Sequence, residues 1–238
     1  MRKELFGVDS FVHVYNRGNR KQPIVRDEKD RWRFLQSLYY FNSKISIANP
    51  FQILQRKKRL RFDLNHNFIW PEEWPMRQPI VKIINFSLLE NHYHLLLKEI
   101  ARGGITIFMK KLGNGMTGYF NTKYQETGRL FQGSYKAKVV DKDSYLQYLS
   151  VYIQVKNIFD LYPGGFEKAI KEFDKAYEWA IQYPFCSLAD YVGKRNSLII
   201  DKDILGDIFF DPKEYKEFVW QCIATENFDE KLKSIKLD

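Results

Sequence analysis

The stretch from Ile80 to Lys98 constrains this chain more than any other. Ile80 to Leu89 is apolar and rich in Ile and Val, as a strand requires. Asn91 supplies a turn, and His92 to Lys98 reads as a second strand, so the two form a β-hairpin. Other elements fall on either side. Phe11-Val12-His13-Val14-Tyr15 reads as a strand that runs into a turn at Asn16-Arg17-Gly18-Asn19. Asp27 can cap a helix carrying Trp32, Phe34, Leu35, Leu38, Tyr39 and Phe41 at mostly helical spacing. Residues 44–79 read as an insertion or long loop, with a basic run at Arg56-Lys57-Lys58-Arg59 and Arg61, and with Pro71 and Pro75 breaking regular structure.

Gly103 to about Tyr124 is an amphipathic helix, with Ile105, Phe108, Met109, Leu112, Met116, Tyr119 and Phe120 mainly at steps of three and four. Gly128-Arg129 makes a turn before a strand at Tyr135 to Val140. Asp141 or Asp143 can then cap a helix to about Phe159. Pro163-Gly164-Gly165 is the clearest break. Beyond it come a helix near 166–181, a turn at Pro184 and short mixed segments. The order predicts an α+β fold: an antiparallel sheet with helices on one or both faces, of the ferredoxin-like, split βαβ type. It divides the chain into a domain over 1–160 and a smaller, mostly helical region over 161–238.

Charge narrows the function. Lys and Arg number 38 against 29 Asp and Glu, a net charge of +9, and 16% of residues are aromatic. Cations meet phosphates and aromatic rings stack on unpaired bases, so an anionic polymer is the natural partner. The same composition excludes a disordered chain. No run of about 18 apolar residues crosses a membrane, and no secretory leader is evident, so no membrane partner and a cytoplasmic location are expected. Two cysteines, Cys186 and Cys222, are too few for an all-cysteine zinc site or a disulfide framework.

Four histidines are present, His13, His66, His92 and His94, so an accidental His-x-His is uncommon. On a strand, residues i and i+2 share a face, and His92 and His94 can converge on one divalent ion. An ion held there can polarise a phosphoryl oxygen. The alternative is two surface histidines on an edge strand. No cysteine and no Gly-x-Ser-x-Gly motif offers a nucleophile, but the helix from 143 to 159 carries Tyr145, Tyr148 and Tyr152, the last two sharing a face. A phenol acts at neutral pH only with positive charge or a base nearby. Gly113-Asn114-Gly115-Met116-Thr117-Gly118 matches Gly-x-Gly-x-x-Gly, but it follows a helical pattern and lacks the later acid, which excludes dinucleotide binding.

At these residues the chain resembles the single-tyrosine HUH transposases, in particular the branch of REP-associated tyrosine transposases. The resemblance rests on five pieces in order: His13 to Gly18, Asn91-His92-Tyr93-His94-Leu95-Leu96, Gly128 to Lys136, Tyr145 to Lys156, and Tyr183-Pro184-Phe185-Cys186-Ser187. It implies metal-dependent cleavage and rejoining of single-stranded or hairpin DNA. His92 and His94 would bind Mg²⁺ or Mn²⁺. Tyr152, with Tyr148 in reserve, would attack the scissile phosphate and leave a 5′-phosphotyrosine bond. Arg129, Gln132, Tyr135, Lys136 and Lys138 would contact the DNA; Arg17, Asn19, Arg20 and Lys21, which follow a strand end, could hold DNA as well or form a solvated turn.

Two positions depart from the family. Lys156 stands where an Asn or Gln usually completes the metal shell, and a protonated lysine cannot ligate a metal. It could contact the phosphate or lower the Tyr152 pKa instead, and Asn157 could substitute as ligand. Ser134 stands where Arg is common. A hairpin-DNA-binding relative that no longer cleaves, or an RNA-binding protein, is therefore the rival reading. The sequence leaves open whether Tyr152 meets the histidines within one chain or across a homodimer.

Overall fold

Alternation along β1 (Phe11–Arg17) turns Val12 and Val14 to one side of a sheet and His13, Tyr15 and Arg17 to the other. The computed structural model describes residues 6–57 and 68–224; His66 and the Lys58, Arg59 and Arg61 part of the basic run lie outside them. Among the described residues the sheet has four strands in the order β2-β3-β1-β4, with β2 at Val81–Leu88, β3 at His92–Glu99 and β4 at Lys136–Val140. Every neighbouring pair is antiparallel. β1 and β2 thus run the same way with β3 between them, and β3 and β4 do so around β1. These are two split βαβ units, the α+β architecture expected from the element order.

Both crossover helices, α1 (Glu28–Tyr40) and α3 (Gly104–Tyr124), cover one face. Phe34, Leu35, Phe108 and Leu112 pack there against Val12, Val14, Leu95 and Leu97. Asp27 caps α1 as expected, accepting from the Asp30 N–H at 2.9 Å. Glu99, at the end of β3, accepts from the Gly103 and Ile105 N–H groups at 2.9 and 3.1 Å. A carboxylate at a helix N-terminus offsets the unpaired amides and the dipole, so β3 and α3 are fastened together. Gly104 is required in that joint, because a Cβ would sit 2.2 Å from the Ile80 carbonyl oxygen.

The opposite face is closed as well. α4 (Asp143–Val151) continues through a π-turn (Tyr152–Lys156) into α5 (Asn157–Phe159). Helices α6 (Gly165–Lys171), α7 (Phe173–Gln182), α8 (Leu188–Tyr191), α9 (Ile204–Ile208) and α10 (Pro212–Ile223) follow. Leu146, Leu149, Ile153, Tyr177 and Tyr215 from this layer share one hydrophobic cluster with Ile84, Leu96 and Val140 of the sheet. The Tyr183–Ser187 segment covers the β2 edge: the Leu88 N–H donates to the Phe185 carbonyl, and the Ser187 N–H to the Phe86 carbonyl.

Three expectations change in detail. Residues 50–56 form a helix, α2 (Pro50–Arg56), inside the stretch read as an insertion; Pro50 sits in its first turn, where no N–H is needed. α4 has Lys142 at its N-cap with no side-chain cap, so neither Asp141 nor Asp143 caps it; Asp143 is its first residue. The helix expected near 166–181 is broken into α6 and α7 at Glu172. No described helix is long and apolar enough to cross a membrane.

A buried carboxylate ties α1 to α3. Asp30 is fully buried and accepts from Lys123 Nζ, Tyr119 Oη, Tyr124 Oη and the Arg26 N–H. Burial pushes its pKa up, but Lys123 and the other donors outweigh burial and hold it below the usual value. A depressed carboxylate pKa adds stability above the unfolded value, near pH 4, and that stability is lost as pH falls through the folded value. Lys123→Met should cost about 1–3 kcal/mol at neutral pH, because it strips a buried acceptor of its charged donor. Urea unfolding at pH 7 measures this, and acid unfolding should begin at a higher pH than in the wild type.

Candidate active site

β3 lies between β2 and β1, so its His-x-His pair is on an interior strand and not on an edge. His92 and His94 share the face turned toward α4 and the π-turn, with ring centroids 5.2 Å apart at 87°. The alternative of two surface histidines on an edge strand does not hold. Their face is covered by the second helical layer: His94 is fully buried and His92 half-buried.

Each imidazole is held by its Nδ1. The Asn91 amide donates from Nδ2 to the Lys21 carbonyl at 3.1 Å, which turns its Oδ1 toward His92. His92 Nδ1 lies 2.6 Å from that oxygen. A carbonyl oxygen only accepts, so His92 carries its proton on Nδ1 and a lone pair on Nε2. His94 Nδ1 lies 2.9 Å from His13 Nε2, and the two rings stack at 12°. His13 is also fully buried. It sits diagonally across the β1–β3 ladder, where Tyr15 pairs with His94 and His13 with Leu96. One ring of the pair donates and the other accepts. His94 Nε2 and His13 Nδ1 find no hydrogen-bond partner among the described residues.

All three rings are held neutral. Burial, then the Lys138 cation, lowers His13 to about 3. Burial, then Arg17 and Lys156, lowers His92 to about 4. Burial, then its histidine neighbours, takes His94 well below the usual value. Neutral imidazole is the form that binds metals.

Tyr152 packs edge-on against His94, with ring centroids 5.3 Å apart at 88°, within a single chain. Tyr148 packs on Phe218 at 5.8 Å. In the π-turn the Asn157 N–H donates to the Tyr152 carbonyl, five residues back. This wider turn brings Asn157 nearer the Tyr152 side than the spacing of an α-helix would. Asn157 is buried, and its Nδ2 donates to Ser87 Oγ at 3.5 Å; Ser87 is the register partner of His94. Lys156 is half-buried, with Nζ 2.7 Å from Asp160 and 5.3 Å from the Phe166 ring.

The candidate DNA contacts divide into groups. Arg17 pairs with His92 in the ladder. Lys136 lies 5.9 Å from the Tyr15 ring, and Lys138 lies 5.7 Å from the Tyr145 ring, so these three flank the histidine face. Asn19, Arg20 and Lys21 form an exposed 3₁₀ turn just past β1. Gln132 is exposed, and its N–H donates to the Arg17 carbonyl. Arg129 and Tyr135 line a cleft on the α3 side of the sheet, away from the histidines.

The donor set fits a divalent ion: two neutral imidazoles anchored through Nδ1, with an amide beside their strand. The orphaned, buried His94 Nε2 is the atom such an ion would engage. Among the described residues no group of three or more His, Cys, Asp or Glu side chains could hold a metal, so a further protein ligand would have to be of another type, as Asn157 is. Sequence reasoning did not assign His13 and Asn91 as orienting groups. Asn91 was visible as the hairpin turn, but the role of His13 depends on strand register.

Fold and site together place the chain among α+β proteins that carry a His-x-His strand against a tyrosine-bearing helix. Residues 76–156, about a third of the chain, match the family described as transposase IS200 like. The segment holds β2, β3, α3, β4 and Tyr152, and the match agrees with the resemblance read from the motifs. The chain is also similar to a solved structure described as "Structure of the REP associates tyrosine transposase bound to a REP hairpin". The identity is 10%, the match covers 82% of this chain and 85% of that one, and the TM-score is 0.46. No curated protein matches the sequence.

The His13–His94 bond has a measurable weight. His13→Leu should destabilise the fold by about 1–3 kcal/mol, because His94 Nδ1 is left buried without a partner. His13→Gln, which keeps an acceptor within the strand, should lose less. Urea unfolding of the two variants at neutral pH separates them.

Proposed function

We propose that this protein is a metal-dependent DNA strand transferase of the transposase type, with Tyr152 as nucleophile. The observation that carries the reading is the contact of the Tyr152 ring with His94, whose Nε2 is buried and unpartnered. His92 and His94 would hold Mg²⁺ or Mn²⁺ through their Nε2 atoms, with the Asn157 amide as a further ligand. When bound, the ion supplies charge that stabilises the phosphoryl oxygens of the scissile phosphate.

The chain's own residues do the rest. Asn91 and His13 fix the two ring orientations, as groups behind metal-binding histidines generally do. Arg17, Lys136 and Lys138 rim the histidine face with positive charge for the DNA backbone, and Asn19, Arg20 and Lys21 extend that rim. Lys156, whose charge is felt at both ligand histidines, contacts the scissile phosphate and favours the Tyr152 phenolate. In the covalent step the Tyr152 oxygen bonds to phosphorus as the bond from phosphorus to the 3′ oxygen breaks. The phenolic proton ends, in net terms, on the released 3′-hydroxyl. A 3′-hydroxyl attacking the 5′-phosphotyrosine reverses the exchange, so no external energy source is required.

A second reading has its own observation. Lys156 occupies the position where the family usually has Asn or Gln, which favours a relative that binds hairpin DNA without cutting it. Covalent-adduct assays decide between them. Wild-type protein with a single-stranded hairpin oligonucleotide and Mn²⁺ should give an adduct that survives denaturing electrophoresis, and Tyr152→Phe should abolish it. An adduct that persists in Tyr152→Phe defeats the nucleophile assignment. Tight hairpin binding without any adduct establishes the binding-only reading, and tighter binding of RNA of equal sequence points to an RNA-binding protein. Under the catalytic reading Asn157→Ala should weaken Mn²⁺ binding about 10–100-fold, and Lys156→Ala should leave it nearly unchanged, as isothermal titration will measure.

A further inference from the structure

A buried ion pair in the C-terminal layer reaches the candidate active site through a chain of contacts. The Arg195 and Asp190 side chains are almost fully buried. Arg195 donates to Asp190 Oδ2 from Nε at 3.0 Å and from Nη2 at 2.6 Å. Asp190 Oδ1 accepts from the Ser197 N–H at 2.8 Å. The guanidinium also donates to backbone, from Nη1 to the Pro184 carbonyl at 3.0 Å and from Nη2 to the Cys186 carbonyl. One planar fork thus grips two carbonyls two residues apart, which the single ammonium of a lysine cannot match. A buried ion pair adds little net stability over apolar packing, because desolvation offsets its attraction. Its use lies in the geometry it fixes.

The gripped segment, Tyr183–Ser187, lies between β2 and the turn that carries the tyrosine. Tyr183 Oη donates to the Leu88 carbonyl, and Ser187 Oγ accepts from the Phe86 N–H at 3.0 Å. Cys186 is fully buried and bridges to Ser87 on β2. Ser87 is the residue that pairs with His94 and accepts from the Asn157 amide. The Cys186 thiol donates to the Gln154 carbonyl at 3.7 Å, inside the π-turn and two residues past Tyr152. The Leu188 N–H donates to the same sulfur at 3.4 Å. Burial pushes the thiol up to about 11, so it keeps the proton that it donates. A π-turn is a rare conformation, and this bond supports it from outside its own helix.

We propose that Arg195 is a positioning residue for Tyr152. By holding the Pro184 and Cys186 carbonyls it fixes the Cys186 thiol against the Gln154 carbonyl, and so sets the π-turn against the histidine strand. Tyr152 and Asn157 ride on that turn. The proposal rests on the reading of Tyr152 as nucleophile. It deepens that reading by bringing into the site a part of the chain beyond residues 76–156.

Hydrogen exchange and adduct kinetics test it together. Cys186→Ala removes the donor, and Cys186→Ser restores one at nearly the volume of alanine. Arg195→Lys keeps the charge and releases the two carbonyls. In Cys186→Ala and Arg195→Lys the amides over 152–158 should exchange about tenfold faster than in the wild type, the scale of one hydrogen bond. Those of β1 and β3 should keep their protection. With a hairpin oligonucleotide and Mn²⁺, the single-turnover rate of adduct formation should fall about tenfold or more, while hairpin affinity stays at the wild-type value. Cys186→Ser should recover most of both losses. The double variant of Arg195→Lys with Cys186→Ala should be no worse than the first alone, because the two residues act in series. Should Arg195→Lys not fold, Asp190→Asn takes its place, since it keeps the shape of the pair and removes its charge. Unchanged exchange over 152–158 in Cys186→Ala overturns the proposal, whatever the adduct rate does. Exchange that rises equally across the sheet overturns it too, because Arg195 and Cys186 would then serve global stability alone. A wild type that forms no adduct defeats the nucleophile reading and not the positioning of the turn, which the exchange measurement decides.

Discussion

The hydrogen bond between His13 and His94 is the constraint on which the site depends. It joins two rings that are both fully buried, on neighbouring strands, and it leaves one nitrogen on each without a partner. Burying polar atoms in this way costs free energy, and the fold places them beneath a helical layer that could have been packed with aliphatic side chains. The layer is mostly hydrophobic elsewhere: Ile84, Leu96, Val140, Leu146 and Leu149 fill the same interface beside Tyr177 and Tyr215. Polar exceptions occur where Tyr152 comes down on His94 and at the buried amides of Asn85 and Gln154, whose side-chain atoms also lack partners among the described residues. The two sheet faces therefore differ in kind. The α1 and α3 face is a hydrophobic core whose buried charge, Asp30, is satisfied by four donors. The other face is a core interrupted by an incompletely satisfied polar cluster, a pattern expected where stability is given up for function.

The π-turn bears on the departure that the sequence raises at Lys156. Lys156 is engaged with Asp160, and the buried amide beside the histidine strand belongs to Asn157. A single wide turn, closed by the Asn157 N–H on the Tyr152 carbonyl, alters which side chain follows the tyrosine around the helix. π-turns recur at functional sites for this reason. Under the proposed chemistry Asn157 would take the ligand role in place of Lys156, and Lys156 would offer a cation to the phosphate.

Much of this was legible in the residues. The apolar run to Leu89, the Asn91 turn and the His-x-His strand gave the hairpin. Period and capping gave α1 from Asp27 and α3 through Tyr124, and the order of elements gave the split βαβ sheet. Three features were not legible, for separate reasons. The contact of His13 with His94 joins residues 81 apart and exists only by virtue of the β1–β3 register, which no local pattern records. The π-turn leaves no signature in composition or periodicity, so the helix read as continuous to Phe159. The burial of His94 depends on the layer from α4 onward packing over the sheet. No local pattern in β3 records that the structure closes both faces of the sheet. α2 was legible and missed: Asn49-Pro50 is a plausible helix start, overshadowed by the later prolines and the basic run.

The central claim is that the two β3 imidazoles are held with their protons on Nδ1 and lone pairs on Nε2, directed at one point beside Tyr152. Long-range ¹H–¹⁵N correlation spectra of histidine-labelled protein at neutral pH report the tautomer of each ring. The account predicts neutral Nδ1–H forms for both His92 and His94. An Nε2–H form at His94 would mean that His13 donates rather than accepts; the ring would then offer no lone pair toward the tyrosine, and the proposed metal centre would be contradicted.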